Sequence, residues 1–286
     1  MRPLGPGVEK NSQLYLYTPC LQAKKAYFYT FCAGHYYCNG QYHISRNNYD
    51  SFLIIYVKKG QGYLEIDGIT YPFKEGHCVF VNCYDPHAYY TLTGMEILWL
   101  HFDGSTSCPY SEIILESCGN VISLKDPLHF EDVIKKIFLS FQEKNVNEPL
   151  ISKYILQLLT DLLLSADSSY AAQKHTATID DILFYINENI DNPLSLNALS
   201  ERAHMSPYHF TRIFKHETGY SPYDYILQVR INTAMHYLKS TDCTVKEICF
   251  NCGFNSESSF CTAFKKHMGV TPSEYRNGIW QHSPFP

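Results

Sequence analysis

Apolar positions recur along this chain with two different periods, and the change of period divides it. Over 27–102, short apolar runs with β-branched and aromatic residues are separated by turn residues. They predict strands over 27–32, 41–46, 51–58, 62–66, 69–73, 78–82, 88–90 and 96–102. Asp67 and Gly68 are the pair that a two-residue type I′ hairpin turn prefers. Gly60, Gly62 and Gly76 punctuate the rest. Many short, evenly spaced strands predict a small barrel or jelly roll.

From about 110 the period lengthens to that of a helix. Phe130, Val133, Ile134, Ile137 and Phe141 form one stripe. Ile151, Ile155, Leu158, Leu159 and Leu162 form another, after a break expected at Pro149. Both stripes are expected to pack on the barrel. The stretch 167–178 is polar and rich in small residues, which predicts a flexible linker.

The last third holds two helix-turn-helix patterns in tandem, over 195–215 and 244–266. In the first, Ser195 caps a helix with Leu196, Leu199 and Ala203 expected inside. Ser206 caps the next helix with Pro207 at its first position, where a missing N–H costs nothing. Phe210, Ile213 and Phe214 form the inward stripe and Gly219 the stop. That leaves Tyr208, Thr211, Arg212 and Lys215 on the outer face. In the second, Thr244 and Glu247 form a capping box, Ile248 points inward and Gly253 ends the helix. Ser256 opens the next, with Phe260 and Phe264 inside and Glu257, Ser258, Cys261 and Thr262 outside. Between the units, Ser221 and Pro222 start a helix reaching about Lys239, with Leu227, Ile231, Ala234 and Leu238 at helical spacing. A stiff helix there would fix the distance between two reading helices. Adjacent major-groove segments on one face of DNA lie roughly 34 Å apart.

With these residues in place, the segment resembles the DNA-binding domain of the AraC/XylS family of bacterial transcription regulators. The resemblance rests on Ala203, Met205, Ser206, Phe214, Lys215, Thr218, Gly219, Arg230, Ala234 and Leu238. It continues through Gly253, Phe254, Phe260, Phe264 to Lys266, Gly269, Thr271, Pro272, Tyr275 and Arg276. It implies base-facing positions at Tyr208, Thr211 and Arg212, then at Glu257, Ser258, Cys261 and Thr262. Arg212 is the strongest of them, because a guanidinium can bond a guanine edge bidentately. Lys215 and Lys265 are expected on phosphates, which position without specifying sequence. Many members carry an arginine where this chain has Thr262, so the second unit is expected to read fewer bases.

The front of the chain is similar to the cupin-like sensor domain of many AraC-family regulators. Arg46, the run from Tyr56 to Leu64, Gly76, Pro86, His87 and the run from Trp99 to Gly104 carry that similarity. It implies a barrel that binds a small effector, often a sugar, and a helical segment that forms a dimer interface. Tyr42 and Arg46 share one strand face, His87 and Tyr89 another, Trp99 and His101 a third. These six are the expected effector-binding residues. Metal-dependent cupins use a His-x-His pair. His35, His43, His77, His87 and His101 form none, so no metal is expected. Cys20, Cys32, Cys38, Cys78 and Cys83 are too dispersed for the zinc-bound reactive cysteine of the family's alkylation-repair members.

Composition changes this picture little. The chain has 286 residues, which suits two domains, and a formal charge of −5. From Ile179 onward there are nine Lys and Arg against eleven Asp and Glu, so non-specific DNA affinity should be modest. Eleven scattered cysteines fit reduced thiols, and Cys249 and Cys252 read as small buried apolar residues. No apolar run could cross a bilayer and the first residues have no signal-peptide core, so a cytoplasmic location is expected. The expected fold is two-domain α+β: a cupin-like barrel over 1–108, helices over 109–166, a linker over 167–178, and an all-α tandem helix-turn-helix domain over 179–286. The expected function is a dimeric, ligand-responsive regulator that binds promoter DNA and RNA polymerase. It would activate a sugar or metabolite operon, with no cofactor, membrane association or enzymatic activity. Two alternatives stay open: a constitutive regulator with a scaffold barrel, and a cupin enzyme with a DNA-binding tail.

Overall fold

A computed structural model of the chain describes residues 5–143, 146–165 and 175–278. The chain forms two compact units, Met1–Tyr170 and Ala171–Pro286.

The first unit contains β1 (Gln13–Leu16), α1 (Leu21–Ala26), β2 (Tyr29–Cys38), β3 (His43–Arg46), β4 (Phe52–Ile66) and β5 (Ile69–Lys74). It continues with β6 (His77–Asn82), β7 (His87–Tyr90), β8 (Met95–Asp103), α2 (Ser107–Cys118), β9 (Val121–Ser123), α3 (Pro127–Gln142) and α4 (Glu148–Ser165). One sheet runs β1-β2-β8-β4-β6-β9, and a second branch runs β5-β4-β7-β3. Every pairing is antiparallel.

Strand β4 joins the two branches. Residues 52–56 pair with β6 and β8, and 61–66 with β5. Sequence reading splits this strand at Gly60, and the structure corrects that. Gly60 does depart from regular backbone, with φ of 84°, and pairing with β8 shifts register between Val57 and Lys59. The ladder resumes beyond it, so the glycine marks a bulge and a bend, not a turn. Asp67 and Gly68, with φ of 52° and 74°, form the hairpin turn as expected. Strands β1 and β9 and helix α1 were not anticipated; each is short, with few buried residues to set a period.

β8 explains why 96–102 reads as an unbroken apolar run. Its side chains alternate between two cores. Leu98, Leu100 and Phe102 point outward with Ile54 and Phe80 against Ile114 of α2, Phe130, Val133 and Ile137 of α3, and Ile155, Leu158 and Leu162 of α4. Ile97 and Trp99 point into the barrel with Leu53, Ile55, Leu64 and Tyr89. Both faces are covered, so no polar face remains to show alternation. Each fully buried large apolar side chain contributes about 1.5–3 kcal/mol. Pro149 falls in the first turn of α4, where proline is tolerated.

The second unit is helical: α5 (His175–Glu188), α6 (Leu196–Arg202), α7 (Pro207–Thr218), α8 (Pro222–Ser240), α9 (Val245–Asn251), α10 (Glu257–Met268) and α11 (Pro272–Arg276). Of the expected linker, 175–178 is helical and forms the first turn of α5. The rest, 167–174, lies outside the described residues. Ile179, Ile182 and Ile186 of α5 join Leu199, Phe210, Phe214 and Ile226 in one core. Ile231, Ala234 and Leu238 of α8 join Ile248, Phe260 and Phe264 in another. The linking helix α8 therefore contributes to both.

Candidate functional site

The two helix-turn-helix units are built by the same local chemistry. Ser195, Ser206, Ser221 and Ser256 each accept a backbone N–H of their own helix, and Pro207 and Pro222 sit in the first turns. Thr244 and Glu247 close a capping box, as do Thr271 and Glu274, which sequence reading did not single out. The tight turns are Schellman motifs in both units. His204 N–H donates to the Glu201 carbonyl and Met205 N–H to Ser200, while Gly253 N–H donates to Phe250 and Phe254 N–H to Cys249. The left-handed residue is glycine in the second unit (φ 76°) but histidine in the first (φ 54°).

Phe210 and Phe214 are fully buried, so they fix which side of α7 faces outward. Tyr208, Thr211, Arg212 and Lys215 share the other side at spacings of three and four. Tyr208 is 82% exposed, and Arg212 and Lys215 are exposed. Ile213, expected fully inside, is only half-buried, at the edge of the core. Leu196, also expected inside, is 42% exposed. It occupies the first position of α6, a turn before Leu199, and lines a shallow hollow with Pro207, Tyr208 and Arg212.

On α10, Phe260 and Phe264 are buried, which turns Glu257, Ser258, Thr262 and Lys265 outward. Glu257 is exposed at the first position of α10, directly after the Ser256 cap. Cys261 is half-buried against the second core, so less of it faces outward than expected. The Thr211 hydroxyl donates to the Pro207 carbonyl and the Thr262 hydroxyl to Ser258. Each hydroxyl has one proton, so both threonines present only acceptors and a methyl group outward. Asp180, Asp181, Glu188 and Asp191 lie on α5 or just after it, outside both helix-turn-helix units.

Arg230 ties the two helix-turn-helix units together, a role its sequence position did not disclose. From α8 it donates to the Asn192 carbonyl beside the first unit (3.2 Å) and lies over the Phe254 ring of the second (5.7 Å). A Cβ at Gly253 would fall 2.8 Å from its guanidinium.

The six expected effector residues converge inside the barrel. Tyr42, His87, Tyr89, Trp99 and His101 are buried, and Arg46 is half-buried. Arg46 of β3 pairs with His87 of β7. Rings run in contact from His87 to Tyr89, Tyr42, Tyr36, Trp99 and His101. Gly34 makes room for Trp99, since a Cβ there would sit 2.7 Å from the indole. Sequence reading missed Tyr36, Tyr49 and Ser51. Tyr49 lies under the Arg46 guanidinium at 4.4 Å, and Ser51 orients His101.

Hydrogen bonds fix the His101 tautomer. The Ser51 hydroxyl donates to the Tyr49 carbonyl (3.0 Å), so it accepts from His101 Nδ1 (2.9 Å). His101 Nε2 then accepts from Arg46 Nη1 (3.4 Å). Burial, then the Arg46 and His87 charges, push the His101 pKa down to about 3. His87 is also lowered, first by burial. Its Nδ1 donates to the Asp85 carbonyl (2.8 Å), which leaves Nε2 as an acceptor. His87 Nε2 and Trp99 Nε1 are buried without a hydrogen-bond partner. Among the described residues, no three His, Cys, Asp or Glu side chains are grouped to hold a metal.

A neutral buried His101 makes stability depend on pH. An unfolded histidine titrates near 6.5, whereas this one resists protonation down to about 3. Its contribution is complete above pH 6.5 and is lost as pH falls below it, by up to about 1.4 kcal/mol per pH unit. Between pH 7.5 and 5.5, the unfolding midpoint of the first unit should fall less in His101→Asn, which retains a donor for Ser51, than in the native chain. Equal falls would contradict a neutral His101.

Comparison with known proteins agrees with this geometry. An AraC-like ligand binding domain matches residues 31–159, and a Helix-turn-helix domain matches residues 199–278. The transposon Tn10 TetD protein of Escherichia coli is 37% identical over 110 residues, covering 38% of this chain and 80% of TetD. An uncharacterized HTH-type transcriptional regulator, YfiF of Bacillus subtilis, is 26% identical across 91% of this chain and 87% of its own length. The Msm operon regulatory protein of Streptococcus mutans is 24% identical across 85% and 90%. No helix among the described residues is long and apolar enough to cross a membrane. With a ligand-binding domain in front and tandem helix-turn-helix units behind, the chain belongs to the AraC/XylS family of transcription regulators.

Proposed function

We propose that this regulator is a cytoplasmic homodimer that activates a sugar or metabolite utilisation operon when a small effector enters its barrel. The observation that carries the effector reading is the interior cluster: an aromatic wall with Arg46 and two unpartnered buried nitrogens, on His87 and Trp99. Buried polar atoms without partners are costly, and a ligand would satisfy them. A barrel serving only as a scaffold gains nothing from leaving them open. Tyr42, Tyr89 and His101 complete the wall. The activator reading draws on relatives such as the HTH-type transcriptional activator RhaS of Mannheimia succiniciproducens, 22% identical across 78% of this chain.

Tyr208, Thr211 and Arg212 read bases in one major-groove segment, and Glu257, Ser258, Cys261 and Thr262 in the next; Lys215 and Lys265 hold phosphates. Leu128, Leu139, Leu156 and Leu164 stand exposed on α3 and α4 and suit a second copy of the chain. The protein acts by binding DNA and RNA polymerase, without catalysis. Effector binding must favour one of two states of the dimer to change its output. A thermal-shift screen with sugars and sugar derivatives, followed by operator binding with each hit, tests this. A saturable stabiliser that also shifts operator affinity is the expected result. A stabiliser that changes neither DNA binding nor promoter output would leave the barrel as a scaffold.

A further inference from the structure

The barrel interior holds one fixed positive charge with nothing to balance it. Arg46 Nη1 reaches His101 Nε2 at 3.4 Å, and its guanidinium lies 4.4 Å from the Tyr49 ring centre. Neither neighbour is an anion. Among the described residues, no carboxylate lies within ion-pair distance of Arg46. The other acidic groups that feel its field are thiols and phenols. Burial pushes Cys83 and Tyr36 up to about 12 even though Arg46 pulls both down, so they stay uncharged. His101 is neutral as well. Arg46 is half-buried, and in partly desolvated surroundings an anion paired with its guanidinium gains more than it would in open water.

Two further polar atoms await partners in the same ring cluster. Trp99 is 9% exposed, and its Nε1 can only donate. His87 is 4% exposed, and its Nε2 accepts because Nδ1 already donates to Asp85. A neutral sugar could meet these two atoms but would leave the guanidinium uncompensated. A bare carboxylate would meet Arg46 but could not donate to His87.

Resting on the effector reading above, we propose that the ligand is a small polyhydroxylated carboxylate, a sugar acid or hydroxy acid. Its carboxylate pairs with Arg46. Its hydroxyl groups donate to His87 Nε2 and accept from Trp99 Nε1. A planar fork against a carboxylate gives two parallel charge-assisted hydrogen bonds, which selects the acid over its neutral counterpart.

The test uses the full chain and matched pairs: D-galacturonate against D-galactose, D-gluconate against D-glucitol, and D-glycerate against glycerol. Calorimetry and thermal shift read the affinity of each. At least one acid should bind at least about tenfold more tightly than its neutral partner. Arg46→Gln should weaken that acid by at least about 30-fold, in the range for breaking a hydrogen-bonded charge pair. Arg46→Lys should weaken it less, because the charge remains. A cooperative thermal unfolding transition of the first unit, measured without ligand, shows that the barrel of both variants folds. A neutral partner binding as tightly as its acid would overturn the assignment and leave the effector reading standing. So would an acid indifferent to Arg46→Gln. Silence from all six compounds would overturn the assignment and also count against the effector reading.

Discussion

Arg212→Ala should weaken binding to the specific operator by about 5- to 150-fold, the equivalent of losing ~1–3 kcal/mol of bidentate base contact. Its position makes the expectation sharp. Arg212 is exposed on α7, two residues from buried Phe210 and Phe214 on either side, which hold it away from the core. Its neighbour Thr211 spends its proton on the Pro207 carbonyl, so Arg212 supplies the donors on that turn. Affinity for an unrelated duplex should fall far less, and the salt dependence of binding should change by about one counterion or less. Lys215→Ala should behave differently, weakening both duplexes alike, because phosphates carry no sequence information. Competition gel shifts with specific and unrelated duplexes check both variants. Equal losses on the two duplexes in Arg212→Ala would move this arginine from base to backbone.

Gly253→Ala should destabilise the DNA-binding unit by about 2–4 kcal/mol, combining left-handed backbone strain with steric displacement. Gly253 has φ of 76°, a region that costs a residue with a Cβ about 1–2 kcal/mol. The added atom would also collide with the Ile190 carbonyl and sit 2.8 Å from Arg230 Nη2. The carbonyl is backbone and cannot swing aside. Arg230 can, but only by giving up Asn192, its tie to the first helix-turn-helix unit. Gly219 is the control. It has nearly the same φ, 75°, and a Cβ there would meet nothing within 4 Å, so Gly219→Ala should cost the backbone share alone. Urea unfolding of the full chain compares the two. Equal costs would mean that the Ile190 and Arg230 contacts contribute nothing.

Much of the DNA-binding unit was legible in the sequence because local chemistry specifies it. Serine and threonine caps, prolines in first turns and glycines after helix ends act within a few residues, and phenylalanines at i, i+4 fix each inward face. Less legible was anything set by tertiary contact. Leu196 fits the helical pattern, yet it stands 42% exposed at the first position of α6. His204 takes the left-handed position that glycine usually marks, so the first turn carried no glycine signal. Arg230 bridges residues far apart in sequence.

In the barrel, the alternation of Tyr42 with Arg46, His87 with Tyr89, and Trp99 with His101 gave the faces. Only the fold could bring three strands to one interior. Tyr49 escaped notice because its ring meets Arg46 only in the fold, and Ser51 because its hydrogen bond reaches His101 on a distant strand. The bend at Gly60 looked like a turn because glycine permits either.

The most direct test of the tandem reading face is guanine methylation interference on duplexes selected from a random pool by the full chain. Each protomer should give two blocks of interference in the major groove, on one face of the DNA and about one helical turn apart. Arg212→Ala should erase signal from one block and spare the other. A single block per protomer, or protection without sequence preference, would contradict a chain that reads two adjacent segments with α7 and α10.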